Sequence, residues 1–249
     1  MRYDTPDIAQ RYTLGRRMSP QMMQVWLNAI SAHFQHRPVC VLDIGCGTGR
    51  FTSALAERFE TAAIGLDPSL AMLNEALQHT QHPRVWFACA VAERLPIDAG
   101  KIDLAFLSMV FHHLSDLQSA GRELKRVTRN GGYLCVRNST LELLDRMPHL
   151  TFFPGARGYN QARLPSQSTV VATFERAGFR LLSHEAILQE LASSFGEFRE
   201  KISKHALSEL MLMPDAEFAS GLAAMDHAIA RGAPPGPIIE PIDLFMFAA

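Results

Sequence analysis

The sequence has almost no net charge, because 24 lysine and arginine residues stand against 25 aspartate and glutamate residues. Proteins that attract nucleic acid or an anionic membrane over a whole face are usually strongly basic. Long apolar runs are also missing: no stretch reaches the roughly 20 residues that a membrane-spanning helix needs. Nor does Met1-Arg2-Tyr3-Asp4 begin the apolar run typical of a secretory signal. We therefore expect neither a nucleic-acid partner nor a membrane partner.

Cysteine is scarce, with four residues in the whole chain. Cys40, Cys46, Cys89 and Cys135 are widely spaced and include no Cys-x-x-Cys pair. Spacing of this kind is typical neither of a disulfide framework nor of a metal-binding cluster. We expect free thiols, a reducing cytoplasmic location and no bound metal.

From residue 39 onward, short apolar runs alternate with helical patterns. The predicted strands are 39–44, 62–66, 84–89, 102–108, 133–138, 179–187 and 242–247. Between strands, apolar residues recur at helical spacing, as Phe51, Leu55 and Phe59 do after the first strand. Strands that alternate with helices over short loops indicate right-handed βαβ units. The pattern therefore predicts a doubly wound α/β fold with a mostly parallel seven-stranded sheet.

Several further elements are predicted from local signals. Ser115-Asp116-Leu117-Gln118 matches a capping box, in which the serine and glutamine side chains satisfy the free amides of a helix start. Helices are also predicted after Ser19-Pro20, over 167–177 and as a pair within 191–231. Residues 139–165, with several prolines and glycines, are predicted to form a long connection.

The segment 41–50 reads Val-Leu-Asp-Ile-Gly-Cys-Gly-Thr-Gly-Arg and leads from a predicted strand into a predicted helix. Gly45 and Gly47 let the backbone approach a ligand, and a helix start offers unpaired amides to it. A dinucleotide-binding fold uses the same geometry but requires a third glycine at position 50. The chain has Arg50 there, so the dinucleotide interpretation fails.

The segment resembles the first motif of class I S-adenosylmethionine-dependent methyltransferases, in which a strand ends in an acidic residue before Gly-x-Gly-x-Gly. Four further signatures of that family follow in order. They are Asp67 after the second strand, the segment 92–96, the segment 103–108 with 112–114, and the segment 123–127 with 131–134. The resemblance covers residues 39–138 and is to the type 11 group, which is related to ubiquinone and menaquinone methyltransferases.

The resemblance implies a Rossmann-like methyltransferase fold and S-adenosylmethionine as the cofactor. It implies in-line methyl transfer to the O, N, C or S atom of a small-molecule acceptor, with proximity and orientation as the main catalytic means. Residues 1–38 are then expected to form an N-terminal helical lid that includes Tyr3 and Asp4. Residues 39–138 form the cofactor-binding core. Residues 139–249 supply the substrate-side loop, a helical insert before the last strand, and the last strands of the same sheet.

The resemblance also implies a cofactor site drawn from several segments. Its expected residues are Tyr12, Arg16, Asp43, Gly45, Cys46, Gly47, Asp67, Pro68, Ala92, Glu93 and Ser108. Asp67 would accept hydrogen bonds from both ribose hydroxyls, while Tyr12 and Arg16 would close over the methionine end. Val91 departs from the family, which often places an acidic residue there to accept a hydrogen bond from the adenine amino group.

The acceptor side is less determined by the sequence. His112 and His113 follow the fourth strand, where ligands of open α/β sheets bind, so either histidine takes a proton from the acceptor or both only pack. Arg137 interrupts an apolar strand, so it either meets an anionic group in the substrate pocket or pairs with an internal acidic residue. Phe152 and Phe153 are expected to line that pocket.

Two other functions stay open at this point. One is a protein that binds S-adenosylmethionine or S-adenosylhomocysteine without transferring a methyl group, because binding and turnover use the same residues. The other is an RNA methyltransferase, which would bind RNA in a strongly salt-dependent way.

Overall fold

A computed structural model describes residues 5–249, so the expected lid residues Tyr3 and Asp4 lie outside the described residues. The helices are α1 Pro6–Gly15, α2 Pro20–Ser31, α3 Arg50–Phe59, α4 Leu70–His79, α5 Leu117–Val127, α6 Ala156–Arg163, α7 Gln167–Arg176, α8 Phe195–Ser203 and α9 Asp215–Ala230. The strands are β1 Cys40–Ile44, β2 Ala62–Asp67, β3 Val85–Cys89, β4 Ile102–Ser108, β5 Thr128–Asn138, β6 Arg180–Ala192 and β7 Ile238–Ala248. No helix within 5–249 is both long and apolar enough to cross a membrane.

The strands form one sheet in the order β3-β2-β1-β4-β5-β7-β6. All neighbours pair in parallel except β7, which is antiparallel to both β5 and β6. The prediction of a doubly wound, mostly parallel seven-stranded sheet is confirmed. The strand order reverses between β1 and β4, and a crevice opens at such a point beyond the carboxyl ends of the strands.

Both faces of the central strands β1 and β4 are buried, as parallel strands require. On one face, Trp26 and Ile30 of α2 pack with Phe51 and Leu55 of α3 against β1, β4 and β7. On the other face, α5 and α7 cover the alternate residues of the same strands, with Phe174 at the centre. A third apolar cluster joins α8, α9 and the segment before α6. This cluster fixes the helical insert beside the carboxyl ends of the central strands.

The start of α5 differs from the predicted capping box. Asp116 is the N-cap, and its carboxylate accepts hydrogen bonds from the backbone amides of Gln118 and Ser119, each at 3.0 Å. Ser115 instead donates through its amide and its hydroxyl to Glu93, each at 2.8 Å. The predicted cap was wrong by one residue because a carboxylate on a neighbouring loop binds the serine.

Two other regions are longer or more ordered than the pattern predicted. The expected connection 139–165 contains 3-10 turns at Leu141–Arg146 and Pro148–Thr151, followed by α6. The last two strands pair along their length from Arg180 with Ala248 to Ala192 with Ile238. Much of β6 is exposed and carries charged side chains. Residues 188–192, which lie beyond the predicted strand, therefore form no apolar run by which a strand could be recognised.

Candidate functional site

The glycine-rich turn after β1 is built from left-handed backbone. Gly45, Gly47 and Gly49 have φ angles of 63°, 54° and 76°, which residues with a Cβ adopt only under strain. At Gly45 there is also no space, because a Cβ there would lie 2.3 Å from Cγ2 of Val110. At Gly47 a Cβ would meet only the Tyr12 ring, at 3.9 Å. The turn therefore presents bare backbone to a cavity covered by α1, immediately before α3 begins.

A cavity of about 450 Å³ opens at the carboxyl ends of β1, β2 and β4. Its volume lies within the range typical of small-molecule sites. Most of the residues expected to form the cofactor site line it. They are Tyr12, Arg16, Gly45, Gly47, Asp67, Pro68, Ala92, Glu93 and Ser108, together with His112 and His113. The structure thus brings residues from five separate segments to one cavity.

Asp67, the last residue of β2, connects two parts of this cavity wall. One carboxylate oxygen, Oδ2, accepts a hydrogen bond from the Gly47 amide at 2.9 Å. The other, Oδ1, accepts from the Ser69 amide at 2.8 Å, just before α4 begins. The carboxylate therefore holds the glycine-rich turn against the start of α4 while lining the cavity.

The loop after β3 is fixed by Glu93. Its Oε1 accepts three hydrogen bonds, from the amide and hydroxyl of Ser115 and from the amide of Asp116. Burial raises the pKa of Glu93, but these hydrogen bonds together lower the pKa by more than burial raises it. The pKa therefore lies below its usual value. Val91 also lines the cavity. This loop therefore offers backbone and apolar surface to the cavity at Val91.

Asp43 and Cys46, both expected in the cofactor site, do not line this cavity. Asp43 is 1% exposed, and its Oδ2 accepts a 2.6 Å hydrogen bond from the Thr52 hydroxyl of α3. Burial raises the pKa of Asp43 to about 7. Burial also raises the pKa of the Cys46 thiol, which makes it a poor nucleophile. Asp43 lies behind the turn, where its hydrogen bond connects β1 to α3, whereas Cys46 lies within the turn with its thiol beside Gly65 of β2.

The two histidines after β4 lie in different environments. His112 is largely buried, and burial first, then His113, lowers its pKa to about 3. Its imidazole is therefore neutral at physiological pH. Arg163 of α6 donates through Nη2 to the backbone oxygen of His112 and to Nδ1 of His113, both at 3.2 Å. The pair is thus held by α6, which the sequence pattern did not predict.

Residues 42–136, which supply β1 to β5 and most of the cavity wall, match a family model described as a methyltransferase domain. This part of the chain is a methyltransferase domain. A malonyl-[acyl-carrier protein] O-methyltransferase of Legionella pneumophila is 38% identical over 106 residues. That match spans 42% of this chain and 37% of the relative, so it covers less than half of either protein.

Solved structures show the same fold over nearly the whole chain. A protein described as a putative methyltransferase from an antibiotic biosynthesis pathway of Anabaena variabilis has a TM-score of 0.75 and 20% identity, covering 91% of this chain and 97% of its own. A Haemonchus contortus N-methyltransferase has a TM-score of 0.63 and 18% identity, covering 96% of this chain and 56% of its own. The helices outside the methyltransferase domain therefore belong to a layout that other proteins share.

A second chamber of about 110 Å³ adjoins the first cavity. The two share several lining residues, namely Tyr12, Arg16, Met109, His112, Tyr159, Arg163 and Ser208. Arg137 of β5 also lines this chamber. It is 2% exposed, lies 4.4 Å from the Trp26 ring centroid, and donates hydrogen bonds to Ser108 and Gln189. Residues of β5, β6, β7 and α8 line the chamber, which lies beside the cofactor cavity.

Phe152 and Phe153, expected in the pocket wall, are not among the residues lining either cavity. Phe153 is fully buried, and its ring packs directly against Gly221 of α9. A Cβ on that glycine would lie 2.2 Å from Cε1 of the Phe153 ring. The Phe152 ring contacts Phe195 of α8 at a centroid distance of 5.4 Å. The structure places both rings in the cluster that holds α8 and α9 together.

Several chamber residues were not identified from the sequence. His149 and Glu209 form a buried pair, with Nε2 and Oε1 2.9 Å apart. Burial raises the pKa of Glu209, but the hydrogen bond and charge of His149 outweigh it and bring the pKa to about 2. Glu240 of β7 and Gln189 of β6 also line the chamber. No local pattern marks these residues, because they meet only through the pairing of the last two strands and the fold of the insert.

Proposed function

We propose that the chain binds S-adenosylmethionine in the 450 Å³ cavity and transfers its methyl group to a small-molecule acceptor in the adjoining chamber. The observation that carries the proposal is one continuous wall made by the left-handed glycine turn, Asp67 and the loop held by Glu93. The methyltransferase domain at residues 42–136 supplies that wall. The Haemonchus contortus structure, which contains S-adenosylhomocysteine, agrees with this choice of cofactor.

The proposed roles follow from where each group lies. The backbone of Gly45 and Gly47 would pass close to the cofactor, and the Asp67 carboxylate would accept its ribose hydroxyls. The loop containing Val91 and Ala92 would hold the adenine by apolar contact and backbone groups. Arg16, which lines both cavities, would meet the cofactor carboxylate. Asp43 and Cys46 would act indirectly, by shaping the turn.

The bound sulfonium would supply an already activated methyl group. The chain then has to align the acceptor and exclude water. A pKa of about 3 makes His112 a weak general base at neutral pH. We therefore propose that His112 forms a neutral wall between the two cavities and positions the acceptor. The free thiols at Cys40, Cys46, Cys89 and Cys135 agree with a reducing, cytoplasmic location.

Ligand binding tests the proposal directly. Titration calorimetry on the purified chain is expected to show one site for S-adenosylmethionine and S-adenosylhomocysteine and no measurable heat with NAD, because Arg50 replaces the third glycine of a dinucleotide site. Turnover of radiolabelled cofactor with a panel of small acceptors then tests transfer. NAD binding tighter than either sulfur ligand would refute the assignment. Cofactor binding with no turnover across the panel would favour a non-catalytic binding protein.

The lid role of residues 1–38 is a separate proposal, supported by the packing of α1 against α4 and α8. Tyr12 and Arg16 line both cavities from this helix and its C-cap. If the segment closes over the cofactor, saturating S-adenosylhomocysteine should slow tryptic cleavage after Arg11, Arg16 and Arg17. Cleavage after the exposed Arg231, at the far end of α9, should not change. Equal rates at the N-terminal sites with and without ligand would argue against a lid.

A further inference from the structure

The second chamber contains an unusual concentration of guanidinium groups. Arg16, Arg50 and Arg137 all line it, and Arg50 and Arg137 do not line the cofactor cavity. Arg50 and Arg137 lie beside one aromatic ring, with their Cζ atoms 5.3 and 5.6 Å from the Phe51 centroid. The positive charges of these two guanidinium groups repel each other, and burial strengthens the repulsion. The chamber therefore needs negative charge.

The hydrogen-bond partners of these arginines are mostly neutral. Arg137 donates to the Gln189 side chain and the Ser108 hydroxyl, and Arg50 donates to the backbone oxygen of Arg16. Within residues 5–249, the buried Nε atoms of Arg16, Arg50 and Arg137 have no hydrogen-bond partner. No carboxylate of the described chain forms an ion pair with Arg50 or Arg137. Buried donors of this kind cost free energy unless an acceptor fills the space before them.

Three carboxyl groups line the chamber, those of Glu190, Glu209 and Glu240, and they do not balance the arginines. Glu190 is exposed to solvent and, within residues 5–249, forms no ion pair with an arginine of the chamber. Glu209 is already paired with His149. Glu240 of β7 is close enough to Arg16 and Arg137 for their charges to act on it, yet burial raises its pKa. A carboxyl whose charged form is disfavoured neutralises its neighbours only in part. The internal acidic partner that the sequence allowed for Arg137 is therefore not what the structure provides.

We propose that the chamber binds a carboxylate of the methyl acceptor between the guanidinium groups of Arg50 and Arg137. The inference rests on the proposed function, since it takes the ligand of this chamber to be the acceptor. A planar carboxylate matches the fork of a guanidinium group. A chamber of about 110 Å³ suits a small group of this kind. Arg16 and Arg163 both line the two cavities, but Arg163 already donates hydrogen bonds to His112 and His113. The cofactor's own carboxylate is therefore assigned to Arg16.

Calorimetry with small probes tests this inference. Acetate, malonate and succinate would be titrated into the chain with and without saturating S-adenosylhomocysteine, alongside malonamide and inorganic phosphate. We expect at least one carboxylate to bind measurably and the uncharged malonamide not to bind. Binding of malonamide as tight as that of malonate, tighter binding of phosphate than of every carboxylate, or no carboxylate binding at all would overturn the inference.

Variants link the binding to the arginines. Arg137→Gln is expected to weaken carboxylate binding at least ten-fold, from the loss of charge-assisted hydrogen bonds, and to leave S-adenosylhomocysteine affinity unchanged. Arg137→Lys should restore part of the loss, whereas Arg157→Gln, at an exposed arginine paired with Asp145, should have no effect. Because Arg137 packs against Trp26, Arg50→Gln provides a second test if Arg137→Gln unfolds.

The two proposals can fail separately. If the wild-type chain does not bind S-adenosylhomocysteine, the proposed function fails, while carboxylate binding to the chain alone is still measured. If Arg137→Gln loses S-adenosylhomocysteine affinity along with carboxylate affinity, Arg137 belongs to the cofactor site and the inference about the acceptor is overturned.

Discussion

Replacing Asp67 with alanine is expected to weaken S-adenosylhomocysteine binding about ten- to a hundred-fold. The carboxylate lines the cavity and accepts the Gly47 amide at 2.9 Å and the Ser69 amide at 2.8 Å. The substitution removes the proposed contacts to the ribose hydroxyls and also releases the glycine-rich turn. Charge-assisted hydrogen bonds contribute roughly 1.5–3 kcal/mol, and about 1.4 kcal/mol corresponds to ten-fold in affinity. Titration calorimetry gives the dissociation constants.

A matched control is Asp116→Ala. The Asp116 carboxylate also accepts hydrogen bonds from two backbone amides, those of Gln118 and Ser119 in the first turn of α5. Asp116 does not line the cavity. Its loss should lower the melting temperature, as the loss of an N-cap does, without changing the affinity. An Asp67→Ala protein that folds and binds S-adenosylhomocysteine like the wild type would remove Asp67 from the cofactor site.

The methyltransferase domain could be predicted closely because its signals are local. β4 was predicted as 102–108 and is found as Ile102–Ser108, since a strand buried on both faces has an unbroken apolar run. Gly45 and Gly47 were recognised from the Gly-x-Gly-x-Gly spacing, and the structure gives both of them left-handed backbone, which favours glycine. The same local reading failed at Ser115, whose partner Glu93 is 22 residues away. A local pattern does not show which of two adjacent cap residues another loop will bind.

The acceptor side could not be predicted in the same way. Its chamber joins residues from the N-terminal segment, β5, the 3-10 turn before α6, and the last two strands. His149 and Glu209 are 60 residues apart by their numbering, and their pairing depends on how α8 and α9 pack. Phe152 and Phe153 show a second difficulty, since an aromatic pair in a loop fits a pocket wall and a helix interface equally well, and the structure places both rings at the helix interface. Arg137 was noticed because a charge interrupted an apolar strand.

Asparagine at position 43 is expected to make folding stability less dependent on pH. Asp43 is buried behind the glycine turn, and burial raises its pKa to about 7, against 3.8 for the unperturbed group. Below about pH 4, the carboxyl is protonated in both the folded and unfolded states, so it does not disfavour folding. As pH rises toward 7, the unfolded chain ionises while the folded protein retains the proton. The free energy of unfolding therefore falls over that range and levels off above it.

The expected size follows from the linkage between protonation and folding. From pH 5 to the folded pKa of about 7, each pKa unit corresponds to about 1.36 kcal/mol. The wild type should thus lose roughly 2–3 kcal/mol relative to Asp43→Asn between pH 5 and pH 8. The asparagine oxygen still accepts the Thr52 hydroxyl that bonds Asp43 at 2.6 Å, so the turn keeps its support. Urea unfolding of both proteins at the two pH values measures the difference, and a difference independent of pH would show that the folded protein does not retain the Asp43 proton.

Unchanged S-adenosylhomocysteine affinity in Asp43→Asn at pH 6 would further identify Asp43 as support for the turn, because a residue outside the cavity wall acts on the cofactor only through the backbone that it holds.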